Sequence, residues 1–63
     1  MNANDLKTAR AAIGCSGAKL AAALGIDPRT LRRYELGELP VPRAVAIAVG
    51  ALARTDPADW ANL

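Results

Sequence analysis

The sequence predicts an all-α domain, a compact bundle of five short helices across residues 1–63. Two kinds of observation predict this class: apolar residues recur three or four positions apart, as one buried helical stripe requires, and capping residues or glycines flank these stretches. The chain has one Trp, one Tyr and no Phe, so Ala, Leu, Val and Ile must build its interior. Because so short a chain buries only about 60% of its unfolded surface, we expect one small core of modest stability.

The first two predicted helices each have a capping residue and a glycine stop. Asn2 or Asn4 can cap the first helix, and Gly14 can end it. Ser16 can cap the second helix, and Gly25 can end it, because glycine readily takes the left-handed conformation that satisfies the last carbonyls of a helix. The apolar stripes between these signals are Leu6, Ala9 and Ile13 in the first helix and Leu20 and Leu24 in the second.

A third helix is expected directly after the second. Asp27 is a suitable N-cap and Pro28 a suitable first residue, so the connection that begins at Gly25 is only three or four residues long. Ala21 lies where a helix leaving so soon would have to cross the second one, and its small side chain allows a close approach. The sequence therefore predicts a central helix-turn-helix, two helices joined by a tight turn.

The third helix is expected to have one apolar and one cationic face. At roughly 100° of rotation per residue, Leu31 and Tyr34 lie on the inner side. The outer side has the size and charge to enter a DNA major groove, where Arg can donate two hydrogen bonds to guanine O6 and N7. Arginines on small basic helices are often merely solvated, but their position after a short turn favours the DNA interpretation. The outer residues are Arg29, Arg32, Arg33 and Leu36.

Two more helices are expected in the remainder of the chain. Pro42 is predicted to begin the fourth, and Asp56 and Pro57 are predicted to be the cap and first residue of a short fifth helix. Trp60 in this last helix is expected to cover the core. The inner stripe of the fourth helix consists of Val45, Ala48 or Val49, and Leu52.

The composition argues against catalysis and metal binding. The chain has no His and one cysteine, Cys15, which excludes an internal disulfide, imidazole metal sites and His-based catalysis. We therefore expect a non-enzyme with no cofactor, no metal and no evident small-molecule substrate. The first ten residues lack a signal-peptide pattern and the longest apolar run, residues 44–53, is too short to span a bilayer, so we expect a cytoplasmic location and no membrane partner. The net charge of +2 favours a polyanionic partner without requiring one.

Seven positions of the helix-turn-helix stretch carry a resemblance to a known family. Their apolar, small and glycine residues at fixed spacing are Leu20, Ala21, Leu24, Gly25, Ile26, Leu31 and Tyr34. In these residues the chain resembles the lambdoid phage repressor and Cro type of helix-turn-helix domain, the XRE family with the lambda repressor-like fold. The resemblance covers nearly the whole chain. It implies a sequence-specific double-stranded DNA-binding regulator of transcription, expected to be a repressor, that binds an imperfectly palindromic operator as a homodimer.

The resemblance also implies which residues of the third helix read bases. Arg29 and Arg33 match base-reading positions of the family, whereas Arg32 could reach a base edge or the DNA backbone. Pro28 stands where the family usually has a side chain that touches a base. Its ring could contact a thymine methyl group, so direct readout should shift onto the three arginines.

Further positions are expected at the DNA backbone or in the minor groove. Ser16 and Gly17 begin the second helix, whose amides could meet a phosphate oxygen, although Gly17 lacks the polar side chain often found there in the family. Lys19 is either a phosphate attractor or a solubilising charge. Thr30 could bind a phosphate or satisfy its own backbone, and Arg43 could enter a narrowed minor groove or remain solvated.

Other matching positions are structural in the family. It places an Arg and a Glu at the positions of Arg10 and Glu35 as a pair that ties the first helix to the third, although without the resemblance Arg10 is as readily interpreted as solvated. Glu38 stands in a loop where many relatives carry basic residues, so phosphate clamping there should be weaker. The C-terminal segment of the family takes part in dimer contact, so Trp60 and Leu63 could contribute to it.

Two alternatives remain open at this point. The chain could be the DNA-binding half of an antitoxin that represses its own operon. It could instead be a small helical protein-interaction module whose arginine face meets an acidic partner, which would suit Glu38, Leu36 and the low net charge.

Overall fold

A computed structural model describes residues 1–62. All regular secondary structure in this range is helical, and short loops join the helices. The prediction of an all-α fold is confirmed. Helix α1 lies against both α3 and α4, and α2 packs on α3 and more lightly on α4. The four α-helices are α1 (Ala3–Ile13), α2 (Gly17–Leu24), α3 (Pro28–Glu35) and α4 (Arg43–Ala53), and a 3₁₀ helix (Pro57–Asn62) follows them.

Local side-chain signals set the ends of α1. The Asn2 side chain accepts a hydrogen bond from the amide of Asp5 at 2.8 Å, and the Asp5 carboxylate accepts one from the amide of Asn2 at 3.2 Å. This reciprocal capping box selects Asn2 over Asn4 as the cap. At the other end Gly14 has a φ of 78°, and its amide donates to the carbonyl of Arg10 at 3.0 Å. The predicted glycine stop of α1 is therefore confirmed.

All four α-helices contribute to one small core. Val49, rather than Ala48, faces inward from α4, and Ile13 at the end of α1 is half-buried. Burial of each large aliphatic side chain stabilises the fold by roughly 1.5–3 kcal/mol, so these residues hold the helices together. The core residues are Leu6, Leu20, Ala21, Leu31, Val49 and Leu52.

The fifth helix differs in type from the prediction. Residues 57–62 form a 3₁₀ helix, in which the amide of Asp59 donates to the carbonyl of Asp56 at 2.8 Å. Such i to i−3 bonding is common in short segments, and the Asp56 side chain tightens the turn by accepting from the amide of Ala58 at 2.9 Å. Trp60 lies half-buried against the core, as predicted, and its indole Nε1 donates to the carbonyl of Thr55 at 3.3 Å. Leu63, the other predicted dimer contact, lies outside the described residues.

Candidate nucleic-acid interface

A glycine stop produces the sharp bend between α2 and α3. Gly25 has a φ of 72°, its amide donates to the carbonyl of Ala22 at 3.2 Å, and the amide of Ile26 donates to that of Ala21 at 3.0 Å. These paired bonds form a Schellman motif, which ends α2 within one residue. Ile26 also packs against the core, and the Ala21 side chain is fully buried. The bend is therefore held both by backbone hydrogen bonds and by packing.

Helix α3 begins at once and presents a cationic face outward. The Asp27 carboxylate accepts a hydrogen bond from the amide of Arg29 at 2.8 Å, and Pro28 is the first helical residue, as predicted. Leu31 is fully buried, and Tyr34 is half-buried against the core. The exposed residues of α3 and its C-cap are Pro28, Arg29, Arg32, Arg33 and Leu36.

An open groove of about 480 Å³ lies between α1, the start of α2 and α3. Gly17 has no side chain, so it lines this groove with its main chain at the first turn of α2, where amides have no partner inside the helix. Arg29 and Arg32 of α3 line another wall, and Lys7 of α1 adds a further positive charge. The groove thus joins a helix N-terminus to several cationic side chains, an arrangement that suits an anion such as phosphate.

One ion pair ties α1 to α3 beneath this groove. The Nε of Arg10 donates to both carboxylate oxygens of Glu35, at 3.0 and 3.1 Å, and its Nη2 donates to Oε1 at 2.8 Å. The Glu35 side chain is only 9% exposed, and that of Arg10 is 33% exposed. The hydrogen bonds to Glu35 raise the pKa of Arg10 above its ordinary value, against a smaller opposing effect of burial. Both residues are thus used to join the helices.

The comparison with protein families agrees with this geometry. The family described as "Helix-turn-helix domain" matches residues 3–63, which is nearly the whole chain. The chain belongs to the helix-turn-helix domain family. No curated protein and no solved structure matches it. Membership of this family supports DNA binding in general and is typical of proteins without enzymatic activity.

The groove and the outer face of this helix-turn-helix domain contain many of the predicted site residues. Gly17, Pro28, Arg29 and Arg32 line the groove, together with the Arg10–Glu35 pair. Ser16 caps α2, since its hydroxyl accepts a hydrogen bond from the amide of Lys19 at 3.1 Å. Thr30 is half-buried in the first turn of α3, and Arg43 is exposed at the first position of α4.

Lys19 lies in a different environment from the other predicted DNA contacts. Its Nζ is 6.0 Å from the centroid of the Trp60 ring, within the range of a weak cation–π interaction. The Lys19 side chain therefore reaches towards the C-terminal 3₁₀ helix. From the sequence, Lys19 was expected to be either a phosphate attractor or a solubilising charge, and neither expectation included a contact with Trp60.

Sequence reasoning also missed Lys7. Lys7 lines the groove from α1, and Arg10, which follows it by three residues on the same helix, also lines the groove. The spacing of these two residues, which places them on one face of a helix, was the available signal. No signal was available for the contact of Lys19 with Trp60, because those residues are 41 positions apart and belong to elements whose packing the sequence does not state.

Across residues 1–62, no helix is both long enough and apolar enough to cross a membrane.

Proposed function

We propose that residues 1–63 act as a sequence-specific double-stranded DNA-binding domain of the lambdoid phage repressor and Cro type, and that the protein regulates transcription, as a repressor. The observation that carries this proposal is the exposed arginine face of α3, held clear of the core by the bend at Gly25. Within residues 1–62, Arg29 and Arg32 form no ion pair, so their guanidinium groups are available to a partner.

In the proposed complex, α3 lies in the major groove as the recognition helix. Arg29 and Arg33 donate to base edges, with guanine O6 and N7 as the preferred acceptors, and Arg32 reaches a base or the backbone. The Pro28 ring can contact a thymine methyl group. Each well-placed arginine contributes roughly 1–3 kcal/mol of discrimination between base pairs.

The groove beside α3 is the proposed seat of a backbone phosphate. Gly17 and Ala18 at the start of α2 form one wall, and the positive end of the helix dipole favours an anion there. Ser16, the N-cap of α2, is proposed as a neighbouring backbone contact. Thr30 and Lys19 are proposed as further backbone contacts. Arg43, exposed at the start of α4, is proposed to enter the minor groove.

We also propose that two copies bind an imperfect palindrome. Recognition helices of such dimers lie about 34 Å apart, one turn of DNA. The longest dimension of residues 1–62 is 31 Å, so two copies at that separation can meet at their edges when this axis runs along the DNA. Trp60 and the C-terminal 3₁₀ helix are proposed to contribute to this contact.

The test begins with selection of bound duplexes from a random DNA pool. An enriched palindromic consensus is the expected result, and a pool without enrichment would contradict sequence-specific binding. The selected duplex and a scrambled duplex are then used to measure Kd at several salt concentrations. We expect the affinity for DNA to fall steeply with added salt. Binding releases counterions from the phosphates that the protein neutralises, and added salt opposes that release.

Three single substitutions separate the proposed roles. Arg33→Ala should weaken binding of the selected duplex by roughly 5- to 150-fold, with a much smaller loss on the scrambled duplex. Lys19→Ala should weaken both duplexes alike and reduce the salt slope by about one. Arg54→Ala, which removes the same charge from the far end of α4, is the matched control and should leave both affinities nearly unchanged. Equal losses on both duplexes for Arg33→Ala would contradict base reading.

The alternatives give different results in the same experiments. A protein-interaction module with an acidic partner would show no enriched consensus and no defined footprint on DNA. An antitoxin would bind its operator and would also co-purify with a toxin. We propose that the chain acts by binding alone, without catalysis or a cofactor, and in the cytoplasm.

A further inference from the structure

The end of α3 has a backbone geometry that brings the main chains of two charged residues together. Gly37 has a φ of 76°, and its amide donates to the carbonyl of Tyr34 at 3.2 Å. The amide of Glu38 donates to the carbonyl of Arg33 at 3.0 Å. This is a second Schellman motif, in which the residue after the glycine is bonded to the residue five positions earlier. The backbone therefore fixes Glu38 beside Arg33.

The two glycine stops differ in the residue that follows the glycine. After α2 this residue is Ile26, which packs against the core as such residues commonly do. After α3 it is Glu38, whose Oε2 lies 4.0 Å from the Nε of Arg33. The Glu38 and Arg33 side chains are 55% and 58% exposed, and exposed ion pairs contribute little to stability. This ion pair therefore adds little to the stability of the fold, although the Schellman motif brings its two residues close together.

We propose that Glu38 is a specificity-determining residue that positions Arg33 for base reading. This inference rests on the proposed DNA-binding function. A guanidinium group has five N–H donors, and the atom of Arg33 that lies 4.0 Å from Glu38 is Nε. In the proposed arrangement Nε faces Glu38 and the two Nη groups face the DNA as a fork. That fork matches guanine O6 and N7. The carboxylate also disfavours a nearby phosphate, so it opposes the use of Arg33 for sequence-independent backbone binding.

The competing explanation is uniform repulsion. A carboxylate near DNA weakens binding to every sequence through its charge alone, and its removal would then raise all affinities by the same factor. Positioning acts on the selected duplex, where Arg33 must hold one orientation against a base. The two explanations therefore differ in the ratio of the affinities for the selected and scrambled duplexes.

The experiment measures this ratio for the wild type, Glu38→Ala, Arg33→Ala and the double variant. In Glu38→Ala we expect tighter binding of the scrambled duplex, no gain on the selected duplex, and a ratio lower by about threefold to tenfold. In the Arg33→Ala background the same substitution should leave the ratio unchanged. Asp5→Asn removes an equal charge from the first turn of α1, keeps an acceptor for the amide of Asn2 and should not alter the ratio. Glu38→Gln keeps the side-chain length and should change the ratio in the same direction, which guards against a disturbed loop in Glu38→Ala.

An equal factor on both duplexes in Glu38→Ala would overturn the inference, as would an undiminished effect in the absence of Arg33. These outcomes leave the proposed function intact if the wild type still prefers its selected duplex. A wild type that binds no duplex, or binds all duplexes equally, would refute the proposed function and this inference together.

Discussion

The ion pair between Arg10 and Glu35 gives the sharpest prediction about stability. Three hydrogen bonds between these side chains join α1 to α3, and they connect residues 25 positions apart in the chain. Arg10→Met removes the guanidinium group and retains an apolar stem. The carboxylate of Glu35, only 9% exposed, then loses its partner in a site that admits little water.

The expected loss follows from the burial of the two partners. Removal of one member of a fully buried pair costs about 3–5 kcal/mol. Because a third of the Arg10 side chain is exposed, water can partly replace its hydrogen bonds to Glu35. We therefore expect Arg10→Met to lower the free energy of unfolding by about 2–3 kcal/mol. Small domains gain about 0.05–0.15 kcal/mol of stability per residue, so this loss is a large part of the total. It corresponds to a fall in Tm of roughly 10–20 °C.

Urea and thermal unfolding followed by circular dichroism measure this loss. The double variant Arg10→Met with Glu35→Met should recover more than half of it, because no unpaired buried charge remains. Arg33→Ala, which breaks the exposed pair with Glu38, is the control and should change stability by less than about 0.5 kcal/mol. A loss below about 0.5 kcal/mol in Arg10→Met would show that the buried carboxylate does not depend on its partner, and a double variant as unstable as the sum of its single variants would contradict the coupling of the two residues.

Four further substitutions test other parts of the fold. Gly50→Ala should raise the free energy of unfolding by about 0.5–1 kcal/mol, since open space surrounds the added Cβ in α4. Gly25→Ala should lower it by about 1 kcal/mol, because the position has a positive φ. Urea midpoints that shift in the same direction for both variants would contradict this contrast. Ala21→Leu overpacks a fully buried position and should cost about 1–3 kcal/mol, with weaker DNA binding; unchanged stability and affinity would show that α2 and α3 have room there. Trp60→Phe removes the donor to the carbonyl of Thr55 and should cost about 0.5–1.5 kcal/mol in thermal unfolding, with no loss speaking against that bond.

The features that depend on near neighbours in the chain could be predicted from the amino-acid sequence alone. The glycine stops at Gly14 and Gly25, the cap at Asp27 and the apolar stripes are where the spacing predicts them. The division of α3 into a buried and a cationic face follows from the helical repeat alone. Such features rest on bonds between residues three to five positions apart, which local sequence specifies.

Contacts between residues far apart in the chain depend instead on how the helices pack. The meeting of Arg10 with Glu35 was indicated by the family resemblance and not by periodicity, and the contact of Lys19 with Trp60 had no sequence signal. The groove that Lys7 lines is formed by residues of three helices, so it exists only once α1, α2 and α3 are packed together. These contacts depend on how helix faces fit together, and that fit is set by the packing of the whole core rather than by any short stretch of chain.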